Sequence, residues 1–152
     1  MGSTGGGAET LERVREVVRG IARVTEPDPA LEPEQRLRAS MAAYFAFARE
    51  HAEDYRLLYE GDAATAPEVR ALVDAALEGQ AERLRAVLAP EVRDLPLVGL
   101  AIHGWMRFLA ATCLRWLDDP SIGREALADL CVDTLFSAVA SATRAGAGDD
   151  GW

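Results

Sequence analysis

The stretch from Asp94 to Asp118 constrains the fold more than any other part of the sequence. Apolar side chains fall on every side of a 3.6-residue helix there, so such a helix must be buried from more than one direction. Its length would allow a membrane span, but His103, Arg107 and Arg115 interrupt the apolar run. We therefore expect the central helix of a globular protein, with one side against a second subunit and another side against a cavity.

The remainder of the chain shows the periodicity of further helices. Helices are predicted over residues 10–24, 33–51, 53–60, 66–89 and 121–143, in addition to the central one at 94–117. Thr65 and Glu68 have the spacing of a capping box, and Asp119 with Pro120 would begin the last helix. Strand alternation and internal repeats are absent from the sequence. The predicted fold is therefore an all-α antiparallel bundle of about six helices.

One domain is expected over residues 8–143. Residues 1–7 are Gly-rich and cannot bury a core, so they are interpreted as a flexible tail or a cloning scar. Residues 144–152 are polar and Gly-rich and are predicted to form a flexible C-terminal tail. No signal peptide is visible in the sequence. The cytoplasm is the expected location, without a membrane partner.

Charge and motif content argue against several classes of function. The formal net charge is -9, so the chain offers nucleic acid no general electrostatic footprint. The sequence has no His-Glu-x-x-His, paired Cys-x-x-Cys or Gly-x-Ser-x-Gly motif. We therefore predict no catalytic residue, metal ligand or cofactor, and no enzymatic activity. Cys113 and Cys131 lie in apolar helical sequence and are predicted to be free buried thiols.

His103 and Arg107 are four residues apart and would share one face of the central helix. Two interpretations are open. Arg107 pairs with a carboxylate of another helix while His103 bonds a carbonyl, or both point into a cavity and orient the polar end of a ligand. Gly104 between them costs about 1 kcal/mol relative to Ala, which close packing or cavity room would compensate.

A stripe of Met and aromatic side chains on the second and third helices is consistent with plain core or with the wall of an apolar pocket. On the pocket interpretation, the predicted ligand-binding residues are Met41, Tyr44, Phe45, Tyr59, Val73, Leu77, Leu100, His103, Gly104, Arg107 and Phe108.

The layout resembles the C-terminal ligand-binding and dimerisation domain of TetR/AcrR-family transcriptional regulators. The likeness rests on three passages: Leu37 to Leu58; Leu100 to Leu117, with Gly104, Trp105 and Trp116; and Asp119-Pro120-Ser121 leading into Leu127 to Val139. It covers about residues 8–143, and the order and lengths of the helices weigh as much as any single residue.

The resemblance implies a homodimer in which the last two long helices pair with their copies. The predicted interface residues are Ala110, Leu114, Leu117, Leu127, Leu130 and Leu135. The family's DNA-reading part is an N-terminal helix-turn-helix, and nothing in this sequence matches it. The function expected from the resemblance is effector sensing, in which a small apolar or amphipathic ligand controls DNA binding through a head missing from this chain. The alternative is a stand-alone headless helical protein that acts by ligand binding or by association with another subunit.

Overall fold

The computed structural model describes residues 2–119 and 121–148, and these residues form eight helices and no strand. The helices are α1 (Gly2–Val24), α2 (Pro33–Glu50), α3 (Ala52–Leu57), α4 (Gly61–Thr65), α5 (Pro67–Ala86), α6 (Pro90–Arg93), α7 (Pro96–Asp118) and α8 (Arg124–Gly148). The predicted all-α class is confirmed. The two additional helices, α4 and α6, are single short turns in segments that the sequence analysis treated as connections.

Proline sets the start of four helices. Pro33, Pro67, Pro90 and Pro96 lie at the beginning of α2, α5, α6 and α7, and none of these helices has a side-chain cap. The first backbone N–H groups of a helix have no intrahelical partner, so proline loses nothing there, and its fixed φ suits the helix. This is why α2 and α5 begin close to where the sequence predicts.

The predicted capping box at Thr65 and Glu68 is wrong. Pro67 is the first residue of α5 and makes Ala66 its N-cap, so Thr65 is left in the preceding helix. Its hydroxyl donates to the Asp62 carbonyl oxygen at 2.7 Å and does not bond the start of α5. Gly61, at φ 78°, turns the chain between α3 and α4, a conformation that glycine adopts without steric cost.

The outer helix ends differ from the predicted ones. α1 begins at Gly2 rather than at Thr10, so it includes residues that were assigned to a tail. α8 begins at Arg124 and continues to Gly148, past the predicted end at Thr143. Asp119 ends α7 and does not cap α8. Met1, Pro120 and residues 149–152, which belong to the two predicted tails and the predicted start of α8, lie outside the described residues.

The core lies where α7 and α8 run beside each other, with α2 packed on α8, and with α5 between α1 and α7. Two indole N–H groups of α7 tie it to the following segment: Trp105 Nε1 donates to the Cys131 carbonyl at 2.9 Å, and Trp116 Nε1 donates to the Ile122 carbonyl at 2.8 Å. These bonds fix the rotation of α7 relative to α8, and this rotation decides which of its side chains reach the interior.

α7 and residues 124–146 of α8 are long and apolar enough to cross a membrane by length and composition. Only 39% and 33% of the respective apolar stretches are buried inside the chain. The core helix of a soluble protein has the same composition, so this property does not indicate a membrane protein. It does mean that both helices carry apolar surface beyond what their own core covers.

Candidate ligand cavity

A cavity of about 490 Å³ lies between α1, α2, α5, α7 and α8. Small-molecule sites in proteins typically have roughly 300–1,000 Å³. The wall is mainly aliphatic and aromatic, and its larger apolar members are Val18, Ile21, Leu37, Met41, Tyr44, Leu58, Tyr59, Val73, Leu77, Leu84, Val87, Leu88, Ile102, Trp105, Met106, Leu109, Leu135, Phe136 and Val139. A small molecule held there would be surrounded by all five long helices.

Each helix presents one continuous strip to the cavity. Leu37, Met41 and Tyr44 form the strip of α2, and Val73 and Leu77 belong to the strip of α5. Residues separated by three or four positions lie on the same side of a helix, so the amphipathic pattern of these helices produces the wall. α1 contributes only its C-terminal turns.

A small polar cluster joins three helices where α1 ends. The Ser40 hydroxyl of α2 donates to the Thr25 carbonyl oxygen at 3.0 Å, and Gln80 Nε2 of α5 donates to Thr25 Oγ1 at 3.4 Å. The Thr25 hydroxyl itself donates to the Ile21 carbonyl oxygen at 2.7 Å. Thr25 and Ser40 are buried, and all three side chains line the cavity. The bonds satisfy polar groups that would otherwise be costly to bury.

Two arginines lie beside this cluster in the wall. Arg36 Nε donates to the Leu31 carbonyl oxygen at 2.6 Å, and its Nη2 donates to the Pro29 carbonyl oxygen at 3.0 Å. Arg83 Nη1 lies 3.3 Å from the Ala22 carbonyl oxygen at the end of α1 and 3.3 Å from Gln80 Oε1. Both guanidinium groups therefore bond neutral oxygens.

The tyrosines of the wall are uncharged at neutral pH. Burial raises the pKa of Tyr59 to about 12, although the positive charge of Arg107 acts in the opposite direction. Burial also raises the pKa of Tyr44 well above its ordinary value. The hydroxyl of Tyr44 is hydrogen-bonded to that of Tyr55 behind the wall. These phenols can offer hydrogen bonds to a ligand but no charge.

The wall contains five of the eleven residues predicted to bind ligand, and these are Met41, Tyr44, Tyr59, Val73 and Leu77. Phe45 is fully buried behind them, in edge-to-face contact with Tyr44 and Trp116. It therefore supports the wall without forming its surface.

The five predicted ligand residues of α7 lie away from the cavity, which corrects their placement. Leu100, His103, Gly104, Arg107 and Phe108 are exposed, because the cavity side of α7 is formed by its other face. Arg107 Nη2 lies 3.1 Å from Asp74 Oδ1 of α5. Of the two interpretations of Arg107, this agrees with pairing to a carboxylate of another helix. A methyl group added at Gly104 would meet nothing within 4 Å, so neither close packing nor cavity room within this chain explains the glycine.

The residues predicted for a dimer interface face mostly inward. Ala110, Leu127 and Leu135 are buried in the chain's own core, and a side chain buried in one subunit has no surface left for another. Leu114 and Leu117 are half-buried against that core. Leu130 alone among the six is exposed, at 52%. The prediction took apolar residues from both helices without knowledge of their rotation, and the observed orientation excludes most of them from a surface.

The exposed apolar surface lies on another side of the same two helices. We call it the outward face and define it by Leu97, Leu100 and Phe108 of α7 and Leu130 of α8. Gly104 is exposed on α7 between Leu100 and Phe108. Near one end, Leu97 and Leu100 share a shallow groove with small side chains of α8, including Ser141.

The polar residues of the cavity were not predicted. Their signal was spacing: Arg36 and Ser40 are four residues apart on α2, and Gln80 and Arg83 are three apart on α5. Both pairs continue the strips of apolar wall residues on their helices. An arginine next to an apolar strip is common on a helix surface, so the spacing alone did not separate these two from solvated ones.

Among residues 2–119 and 121–148, no group of three or more His, Cys, Asp or Glu side chains could hold a metal ion. Cys113 and Cys131 are free and buried, as predicted. Burial raises the pKa of the Cys113 thiol to about 12, so it stays protonated at neutral pH and is a poor nucleophile.

Residues 33–138 match the sequence profile of the family described as "Tetracyclin repressor-like, C-terminal domain". The match begins at the start of α2 and ends within α8, so it includes the cavity-lining residues of α2, α5 and α7 and those of α8 except Val139. No curated protein matches the chain.

Proposed function

The chain belongs to the tetracycline-repressor-like C-terminal domain family, and we propose that it is the effector-sensing and dimerisation domain of a TetR-like transcriptional regulator in the cytoplasm. The observation that carries the proposal is the apolar cavity of about 490 Å³, most of whose wall belongs to the matched region. Its size and lining suit a small, mostly apolar ligand.

Ligand binding in the cavity could control DNA binding through α1. The C-terminal turns of α1 form part of its wall, so a ligand that contacts them favours one position of α1 over another. In the intact regulator α1 would lead to an N-terminal helix-turn-helix head. To move a two-state equilibrium from 1:99 to 99:1, the ligand must prefer one state by about 5.5 kcal/mol. An apolar cavity with a few polar contacts can supply that difference.

The ligand-binding part is tested with N-phenyl-1-naphthylamine, an uncharged dye that fluoresces in apolar surroundings. Ala76 of α5 lines the cavity, whereas its neighbour Ala75 is exposed and does not. We expect Ala76→Phe to fill the cavity and weaken dye binding by about tenfold or more, since the dye loses buried apolar contact.

Ala75→Phe is the matched control and should bind the dye as the wild type does. Equal binding by all three proteins would put the dye outside the cavity. No binding by the wild type would overturn the proposed sensing function. Circular dichroism of each variant establishes that the fold is retained.

The dimer part of the proposal rests on the outward face. Leu100 is 65% exposed and Leu130 is 52% exposed, and leaving such apolar area in water is unfavourable. Pairing of α7 and α8 with their copies would cover it. Sedimentation velocity at micromolar concentration should give a dimer for the wild type and a monomer for Leu100→Glu.

Val87→Glu is the matched control for oligomeric state, because Val87 is 66% exposed at the end of α5, where it lines the cavity and is not part of the outward face. It should remain a dimer. A monomeric wild type would contradict the homodimer. An in-frame helix-turn-helix encoded upstream of Met1 would supply the DNA-binding head, whereas an upstream stop codon would favour a stand-alone helical protein that acts by ligand binding or association.

A further inference from the structure

The charge of the cavity wall is opposite to that of the chain. The chain has 25 Asp and Glu residues against 16 Arg and Lys residues. Yet the charged residues of the wall, as far as the structure describes it, are Arg36 and Arg83, with no carboxylate among them. Both arginines are half-buried, so solvent screens their charges less completely than those of fully exposed side chains.

Several arginines on the surface have carboxylate partners, and in the part of the chain that the structure describes these two do not. Arg13, Arg38, Arg56 and Arg107 each pair with an aspartate on another helix. Within the described residues, neither Arg36 nor Arg83 forms an ion pair. A guanidinium group has five N–H donors; Arg36 uses two of them on carbonyl oxygens, and Arg83 uses one nitrogen on two neutral oxygens. Both retain donors and charge for a further acceptor.

Each arginine is one helical turn from a member of the same polar cluster. Arg36 is one helical turn before Ser40, and Arg83 is one turn after Gln80, and both Ser40 and Gln80 are hydrogen-bonded to Thr25. Polar side chains and positive charge thus gather where α1 ends, while the wall residues of α7 are all apolar. The cavity has a polar region and an apolar region.

We propose that the ligand is an amphipathic anion, an apolar chain or ring bearing a carboxylate, whose head group is bound by Arg36 and Arg83. This inference rests on the proposed sensing function and specifies its ligand class. Guanidinium groups bind carboxylates through paired, charge-assisted hydrogen bonds. Because Arg83 also contacts the Ala22 carbonyl oxygen of α1, one side chain would touch both the ligand head and the helix that carries the signal.

Three compounds with the same ten-carbon chain separate charge from apolar contact: decanoate, 1-decanol and decyltrimethylammonium. Each is titrated against the chain loaded with N-phenyl-1-naphthylamine, and displacement of the dye gives the affinity. We expect the wild type to bind decanoate about tenfold or more tightly than either of the other two, as bonds to a charged group imply.

Arg36→Gln and Arg83→Gln remove the charge and keep an amide donor for the carbonyl oxygens that each arginine bonds. Either variant should weaken decanoate about tenfold and leave 1-decanol and the dye unchanged. Arg83→Lys should retain part of the preference. Arg70→Gln is the matched control, because Arg70 is an exposed residue of the same helix outside the cavity wall, and it should bind decanoate as the wild type does.

Equal displacement by decanoate and decyltrimethylammonium would overturn the inference, and so would an equal loss in Arg70→Gln and Arg83→Gln. In both cases dye and 1-decanol binding would persist, so the sensing proposal would stand. If the wild type binds neither the dye nor any of the three compounds, the sensing proposal fails and the inference fails with it.

Discussion

Trp105 and Phe108 lie three residues apart on α7, and both are large aromatic side chains, yet one is 3% exposed and the other 36% exposed. Trp105 lines the cavity and its indole N–H bonds the Cys131 carbonyl. Phe108 belongs to the outward face. Both faces of α7 carry large apolar side chains, although His103 and Arg107 lie on the exposed one. The faces differ in what they contact: the chain's own interior on one side, and solvent or a second subunit on the other.

The comparison shows that an apolar pattern on all sides of a helix predicts burial. It does not predict whether the chain's own core or a second subunit covers each side. The hydrophobicity of the sequence indicates how much apolar surface the helix has in total. The rotation of the helix, fixed here by the bonds of Trp105 and Trp116 to the α8 side, decides which residues the chain covers itself.

The largest effect expected from a single substitution is on the inner face of α7. Trp105→Ala should lower the free energy of unfolding by about 3–5 kcal/mol, because it leaves a cavity in the core and removes a donor from a buried carbonyl. Phe108→Ala should change it by only about 0.5–1 kcal/mol. Urea unfolding in a Leu100→Glu background, which the dimer proposal makes monomeric, measures the two without a contribution from association.

Similar losses for Trp105→Ala and Phe108→Ala in that background would contradict the distinction between the faces, since Phe108 would then carry packing that its exposure does not indicate.

The next effect concerns pH, because burial acts on the titratable groups of the interior. The pKa of Cys113 and of Tyr59 is raised to about 12, and that of Cys131 to about 11, from ordinary values of 9.0 for Cys and 10.0 for Tyr. The folded state therefore holds these protons to higher pH than the unfolded state. Stability is complete below pH 9 and falls as pH rises toward 12, by about 1.4 kcal/mol per unit for each group inside its window.

Urea unfolding at a series of pH values between 8 and 11 measures this loss, and the ultraviolet difference spectrum of tyrosinate follows the phenols directly. A free energy of unfolding that stays constant across the series would mean that these side chains are already accessible to water in the folded protein.

A smaller effect tests what covers the outward face. Gly104 costs about 1 kcal/mol relative to Ala in the interior of a helix, and within the chain there is open space beside it. In the monomeric Leu100→Glu background, Gly104→Ala should therefore raise the free energy of unfolding by about 1 kcal/mol. In the wild-type background it should weaken the dimer, if a partner helix approaches closely at this position.

Gly79→Ala is the control, because Gly79 is also exposed within a helix and has open space beside it. It should give the same gain in both backgrounds. An equal gain for Gly104→Ala in both would indicate that the partner does not approach at Gly104.

The helices were largely predictable because local chemistry determines them. Prolines mark the starts of α2 and α5, and amphipathic strips indicate which sides of these helices face inward. The wall residues that the sequence analysis identified, Met41 and Val73 among them, come from helices with one apolar side. The predicted residues of α7 were misplaced because His103 and Arg107 were assigned to a cavity, whereas both lie with Arg115 on the exposed side of that helix.

The arginines of the cavity were missed for a related reason. Arg36 and Arg83 have the same sequence surroundings as solvated arginines, and what distinguishes them is their position in the cavity wall, which only the packed helices create. Arg107 was predicted to bind ligand because it interrupts an apolar run. Its partner, Asp74, lies on another helix, and the local sequence does not reveal it.

The smallest expected effect comes from comparing Arg107, which is ion-paired on the surface, with Arg83 of the cavity wall. Arg107 and Asp74 are half or more exposed, at 50% and 61%, and surface pairs of this kind contribute about 0–1 kcal/mol. Arg107→Ala should therefore lower the free energy of unfolding by less than about 1 kcal/mol and leave decanoate affinity unchanged. Arg83→Gln should weaken decanoate binding. Parallel urea unfolding and dye displacement on the two variants measure both quantities. If Arg107→Ala weakened decanoate as Arg83→Gln should, the ligand would reach the side of α7 that carries the ion pair, and the two faces of the helix would no longer have separate roles.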